Sequence, residues 1–230
     1  MVAQKMGTSI LSGALQPGEH IPGEIEQSAA MGVSRSAYRE AIRILTAKGL
    51  LESRPKAGTR ITAREKWNLL DPEMLAWMFL GKPNKAFALD LFELRNLLEP
   101  EAAQLAARRR KPEHLDAMAD ALNDMREFGL GTAQGQAGDH RFHTTLLAAA
   151  GNLALTSLAS SIGAAVKWTT FYKQAAYEVP RDPLPEHLAV YQAIKDRDPA
   201  GARARMEELI ALAAKDMGLE LASDRTDELA

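Results

Sequence analysis

Along most of this chain apolar residues return every three or four positions, the period of helices that bury one face. Ala3 to Leu15 carries Met6, Ile10, Leu11 and Leu15 on one side, with Gly13 and Pro17-Gly18 as its stop. Glu24 to Met31 reads as a second short helix, opened by Pro22 and closed by Gly32. Ser34 follows as the N-cap of a third, with Val33 before it and Tyr38 four residues in, the spacing of a hydrophobic staple. On the wheel of this third helix Ala37, Tyr38, Ala41, Ile44 and Leu45 share one side, while Arg35, Arg39, Arg43 and Thr46 fall nearly opposite. After Gly49 the period shortens. Two β-like runs, LLESR and TRITA, are joined by PKAG, whose Pro55, Lys56 and Gly58 favour a tight turn.

Beyond a connector at 62–70, Asp71-Pro72-Glu73 reads as a helix start: a capping carboxylate, proline at the first helical position and acid in the first turn. The pattern then predicts helices over 71–80, 84–109, 112–127, 135–150, 152–177, 184–197 and 199–217. Breaks at Gly81, Pro83, Pro112, Gly129, Gly151, Pro183 and Pro199 imply short connections between antiparallel neighbours. No tandem repeat is evident, and the tail SDRTDELA reads as frayed.

Charge divides the chain in the same place. The 230 residues carry a net charge of −2, but residues 1–66 hold ten Lys/Arg against six Asp/Glu, and the remainder eighteen against twenty-four. A small basic module therefore precedes a larger acidic one, and the first is the part suited to a polyanion. Two short helices, an arginine-faced helix and a basic hairpin follow the order of a winged helix-turn-helix, whose third helix enters the major groove. The alternative is a solvated helix face. The expected fold is mainly α: a winged helix-turn-helix at 1–66, a linker and coupling helix at 67–80, an all-helical antiparallel bundle at 81–220 and a flexible tail at 221–230. Cysteine is absent, which excludes disulfides and thiolate metal sites. No apolar run is long enough to span a bilayer and the N-terminus lacks signal-peptide features, so a cytoplasmic protein without membrane contact is expected.

Polar residues on apolar helix faces mark the candidate chemistry. Arg95 falls on the stripe of Leu91, Leu94, Leu98, Ala102 and Leu105; Asp139 and His143 share a face with Leu146 and Ala150; His187 shares one with Val190, Tyr191 and Ile194. Unpartnered buried charge is costly, so these side chains are expected to converge on a ligand. Asp139 and His143 lie one turn apart, a spacing that serves a metal ion or a polar ligand, and Arg95 suits a carboxylate. Each also has a structural alternative: a local Asp139–His143 hydrogen bond, a satisfied core His187, or Arg95 neutralising Glu99 one turn on.

The segments SGALQPGEHIPGE, GVSRSAYREAIRILTAKGLLE and PKAGT resemble the DNA-binding domain of the GntR family of bacterial transcription regulators. The resemblance implies DNA contacts at Ser34, Arg35, Ser36 and Arg39, with Lys56, Gly58 and Thr59 on the wing, beside Arg43 of the outward row. Ile25 departs from the family, many of whose members carry arginine there. FELRNLLEPEAAQLAA, DHRFH followed by AAAGN, and PEHLAVYQAI resemble the FCD effector domain of the FadR subfamily, in which six or seven helices enclose a small-molecule pocket. Many such domains hold a divalent metal such as zinc on an aspartate and three histidines, completed by an organic acid. Asp139, His143 and His187 match three of these, while Leu209 stands where the last histidine is expected. Either the metal keeps a position for water or effector, or the same residues bond the effector directly.

The resemblance implies a repressor that binds a palindromic DNA operator as a homodimer and is released by a small carboxylate. KWNLLDPEMLAW and LRNLLEP are similar to a sugar-acid-responsive member of the subfamily, which implies an aldonate-like effector. Two rivals use the same residues: a small metal-dependent enzyme and a metal-sensing regulator. The chain offers no HExxH, no phosphate loop and no separate general base or nucleophile for the first.

Overall fold

The computed structural model describes residues 2–54, 58–80, 85–176 and 181–221, with the side chains of 174–176 left aside. Lys56 of the expected wing and residues 222–230 of the expected tail lie outside the described residues. The chain divides into two compact units, residues 1–83 and 84–230.

The first unit contains α1 (Val2–Leu11), β1 (His20–Ile21), α2 (Glu24–Ala30), α3 (Arg35–Ala47), β2 (Leu51–Arg54), β3 (Gly58–Ile61) and α4 (Pro72–Met78). Its three strands are antiparallel in the order β1-β3-β2. The Ser34 hydroxyl accepts from the Ala37 N–H and starts α3, whose Tyr38, Ala41 and Leu45 enter a core with Met6, Ile10, Leu51 and Ile61. Ala37, expected on the buried side, is exposed. α1 ends at Leu11 rather than Leu15, because the chain turns at Gly13, with φ of +79°. β1 was not anticipated; two residues are too few to carry an alternating signal.

Residues 67–80, expected as a linker and coupling helix, pack into this unit through Trp67, Met74 and Trp77. Asp71 caps α4, accepting from the N–H groups of Glu73 and Met74. It also holds the buried Lys48 ammonium at 2.7 Å, with Glu73 at 2.8 Å on the other side and the Trp77 ring 5.4 Å away. The end of α3 is thereby fastened to the start of α4. Gly49 closes the same joint with φ of +79°, where an added Cβ would lie 2.0 Å from the Lys66 carbonyl oxygen.

The second unit is helical among its described residues: α5 (Lys85–Arg109), α6 (Pro112–Phe128), α7 (Ala133–Ala149), α8 (Leu153–Ser157), α9 (Ala159–Ala176), α10 (Leu184–Lys195) and α11 (Pro199–Lys215). The span expected as one helix over 152–177 is two. Asn152 caps α8, and the chain turns at Leu158 before α9 begins. Small residues of α5 (Ala102, Ala103, Ala106 and Ala107) are fully buried and admit close neighbours, with α7 and α11 packed against the helix. Phe92, Met118, Phe142, Leu146, Val190 and Met206 fill the space between. Among the described residues no helix is long and apolar enough to cross a membrane.

Gly49→Ala should destabilise the first unit by about 2–4 kcal/mol, since it adds a strained φ to a backbone clash. Urea unfolding followed by tryptophan fluorescence measures this; an unchanged midpoint would contradict the close approach of Gly49 and Lys66.

Candidate functional site: an arginine-faced helix and a buried aspartate–histidine pocket

Docking of α3 by its apolar side leaves Arg35, Arg39 and Arg43 exposed, as the sequence pattern predicts. Arg39 lies 3.5 Å from Glu24, and Arg43 grips Glu40 through Nε (2.9 Å) and Nη2 (2.6 Å). Arg35 makes no ion pair among the described residues. Solvent screens exposed pairs of this kind, so a phosphate or a base edge can displace them. Ser36 sits beside the Ser34 cap, their hydroxyls 3.2 Å apart. On the hairpin, Thr59 bonds Ser53 across the strands at 2.8 Å, and Gly58 takes φ of +76°. Glu52 collects Arg54, Arg60 and Lys66. Ile25 is 66% exposed on α2, an apolar side chain on a surface otherwise rich in charge.

The second unit brings its four expected residues together. Arg95, Asp139, His143 and His187 line one small cavity of about 30 Å³, with Phe92, Val166, Thr169, Thr170, Lys173 and Leu209 among its other walls. All four are buried. Arg95 does not point a free fork into the space: its Nε donates to Glu99 at 2.6 Å and its Nη1 to Thr169 at 3.3 Å. The intrahelical pairing foreseen as the alternative is therefore present. The other Glu99 oxygen meets His143 Nδ1. Burial pushes the Glu99 carboxyl up, but Arg95 and His143 beside it outweigh that and hold it at about 2.

His143 and His187 turn their Nε2 atoms towards each other at 3.3 Å, and Asp139 Oδ1 stands 3.1 Å from His187 Nε2 and 3.6 Å from His143 Nε2. Thr170 donates to the other Asp139 oxygen at 2.8 Å. Burial raises the Asp139 carboxyl, yet His187, His143 and Thr170 hold it well below the usual carboxylate range. The outward nitrogens are tethered as well: His143 Nδ1 to Glu99, His187 Nδ1 to the Pro183 carbonyl at 2.8 Å. With a proton on each Nδ1, the two Nε2 atoms face the carboxylate, and a cation bound there would take the place of the Nε2 protons.

The donor set fits a divalent metal. Ligand bonds of 2.0–2.1 Å in a tetrahedron separate ligand atoms by about 3.3 Å, close to the three distances found. The Nδ1 partners are the outer shell that metal-bound imidazoles require. Leu209, apolar and buried, also borders the cavity and offers no donor, so among the described residues three side chains are grouped as candidate ligands. Sequence reasoning missed Thr169, Thr170 and Lys173. Their signal was faint: in TTFYK, Thr169 and Lys173 are one turn apart on the inward side of α9.

Glu99→Ala would strand the Arg95 guanidinium and should cost about 3–5 kcal/mol, whereas the apolar pair Arg95→Met with Glu99→Leu should recover most of that loss. Glu99 titrates near 2 when folded against an ordinary 4.5. Its contribution is therefore complete above that ordinary value and lost as the pH falls towards 2. Acid and urea unfolding followed by circular dichroism would measure both effects.

Residues 1–61 match the description "Bacterial regulatory proteins, gntR family", and residues 90–212 match the FCD domain. The galactonate operon transcriptional repressor of Escherichia coli is 31% identical over 209 residues, 90% of each chain. The HTH-type transcriptional regulator LutR of Bacillus subtilis is 29% identical over 205 residues, 86% of this chain and 90% of its own. The E. coli regulator YieP is 44% identical, but over 108 residues that make up 46% of either chain. A Streptococcus agalactiae GntR structure has a TM-score of 0.51 at 27% identity, covering 93% of this chain and 98% of its own. The fold of Lar, described as controlling expression of the Listeria monocytogenes agr system, superposes with a TM-score of 0.65 at 20% identity over 96% of both chains. With a winged helix ahead of an FCD domain, the chain belongs to the GntR family of bacterial transcription regulators.

Proposed function

We propose that this regulator is the repressor of a sugar-acid operon, that it binds a palindromic operator as a homodimer, and that an aldonate-like carboxylate releases it. The observation that carries the effector half is the pair of tethered imidazoles facing Asp139 in a buried cavity. A divalent ion held by Asp139, His143 and His187 would supply a Lewis-acid position for an effector oxygen, where Leu209 supplies none. Support for a sugar acid comes from the relative that controls a galactonate operon, which matches over 90% of both chains.

Arg35, Arg39 and Arg43 are the residues for the major groove, with Ser34 and Ser36 at the helix start and Lys56, Gly58 and Thr59 on the wing. One such helix reads only a few base pairs, so two-fold symmetry supplies the remaining specificity. Effector release requires that the ligand prefer the arrangement in which the two helices do not match the half-site spacing. Residues 62–80 form the coupling segment. Lys48 ties the end of α3 to the capping residues of α4, so a movement of α4 is a movement of the recognition helix.

Gel-shift titration of the DNA upstream of its own gene tests both halves. Arg35→Ala and Arg39→Ala should each lose about 1–3 kcal/mol of specific affinity; two variants with unaltered binding would remove α3 from the groove. Galactonate should release the wild-type protein but not His187→Ala, and release of both at the same concentration would take His187 out of the effector site.

A further inference from the structure

The cavity beside the metal triad is too small for the effector. Its volume of about 30 Å³ holds an ion and a water or two, far below the roughly 300 Å³ at which small-molecule pockets begin. A second cavity, of about 170 Å³, lies on the other side of Leu130 and Pro183, which border both. Arg126 and Arg181 line it. Between the two sits a knot of charge. The Lys173 ammonium, 5% exposed, donates to Asp216 and to the Arg181 carbonyl, each at 3.1 Å. The Arg181 guanidinium grips the same Asp216 through Nε at 3.0 Å and reaches Glu186 through Nη1 at 2.6 Å.

This knot differs from the Arg95–Glu99–His143 group in one respect: it is incompletely satisfied. Arg181 Nη2 and Glu186 Oε2 are both buried and have no hydrogen-bond partner among the described residues. Asp216 is also poorly placed electrostatically. It caps the carboxyl end of α11, where the helix dipole opposes negative charge, so its position depends on Lys173 and Arg181. Arg95, by contrast, cannot be drawn away without stranding Glu99, which also holds a metal-facing histidine.

We propose that the carboxylate of the acid effector binds Lys173 and Arg181 in place of Asp216, whose own carboxylate occupies that position in the closed pocket. The effector reading above is assumed; the addition is which residues recognise the acid group, and in which direction the ligand lies. The acid group faces Lys173 and Arg181, and the hydroxyl-bearing chain runs towards Asp139, His143 and His187. Displacement of Asp216 frees the end of α11, joins the two cavities and satisfies the orphaned Arg181 Nη2. An internal carboxylate that competes with the ligand sets the concentration at which the effector acts.

The test is calorimetric titration of the full-length protein with galactonate and, as its uncharged counterpart, galactitol. Asp216→Asn keeps the shape but removes the competing charge, and should bind galactonate about fivefold or more tightly than wild type. Lys173→Met should bind it about tenfold or more weakly, with Lys173→Arg restoring most of the affinity. Galactitol should bind all four proteins weakly and alike. If Lys173→Met fails to fold, as judged by its melting curve, Asp216→Asn alone decides. A wild type that binds galactonate beside an Asp216→Asn variant that binds it no more tightly would overturn the proposal while leaving the effector reading intact. A wild type that binds no galactonate would overturn both.

Discussion

A carboxylate removed from water stays charged only if cations surround it, and Glu99 is the carboxylate on which the second unit depends. It has no exposed surface, and its two oxygens are divided between Arg95 and His143. The guanidinium offsets its burial, and the imidazole is orientated by it. A residue that touches no ligand thus decides which His143 nitrogen faces the pocket. The orientation of His143 in the pocket is a consequence of this ion pair, and the helix that carries both Arg95 and Glu99 is also the alanine-lined spine against which α7 and α11 pack.

The first unit makes similar use of buried charge for a different end. Lys48, the buried C-cap residue of α3, meets Asp71 and Glu73 at the opening of α4. Asp71 caps that helix and binds the ammonium with the same oxygen, Oδ1. Capping and ion pairing are therefore not separable at this joint. The glycine beside it, unable to accept a side chain, keeps the backbone of residues 49 and 66 in contact. The far end of α3 is thereby tied to the segment that leads out of the first unit.

Much of this was legible in the sequence, for identifiable reasons. The winged helix was readable because one face of α3 is apolar and the other carries three arginines, a contrast that survives any detail of packing. Asp139, His143 and His187 were readable because each interrupts an apolar stripe, which local periodicity exposes. What could not be read depends on contacts between distant elements. Lys173 looks like an ordinary surface lysine until Asp216, 43 residues on, is seen to bury it. The second partner of Arg95, Thr169, lies 74 residues away on α9 and leaves no local trace, whereas Glu99, one turn on, was already visible. The division of α8 from α9 carries no glycine or proline at Leu158 to announce it. Two-residue β1 gains its identity only from pairing with β3.

The acidic residues scattered over the arginine-bearing surface have a consequence of their own for the proposed DNA contact. Glu24, Glu40 and Glu52 lie against Arg39, Arg43, Arg54, Arg60 and Lys66, so the interface brings built-in counterions to any duplex it meets. Attachment to an arbitrary stretch of DNA must break or tolerate these contacts, and it releases fewer salt ions than the number of arginines suggests. Loose, sequence-blind adhesion is muted, while a matching operator still recovers the loss through base-edge contacts. A regulator facing a genome full of wrong sites gains discrimination from the acids on its own surface, not from additional positive charge.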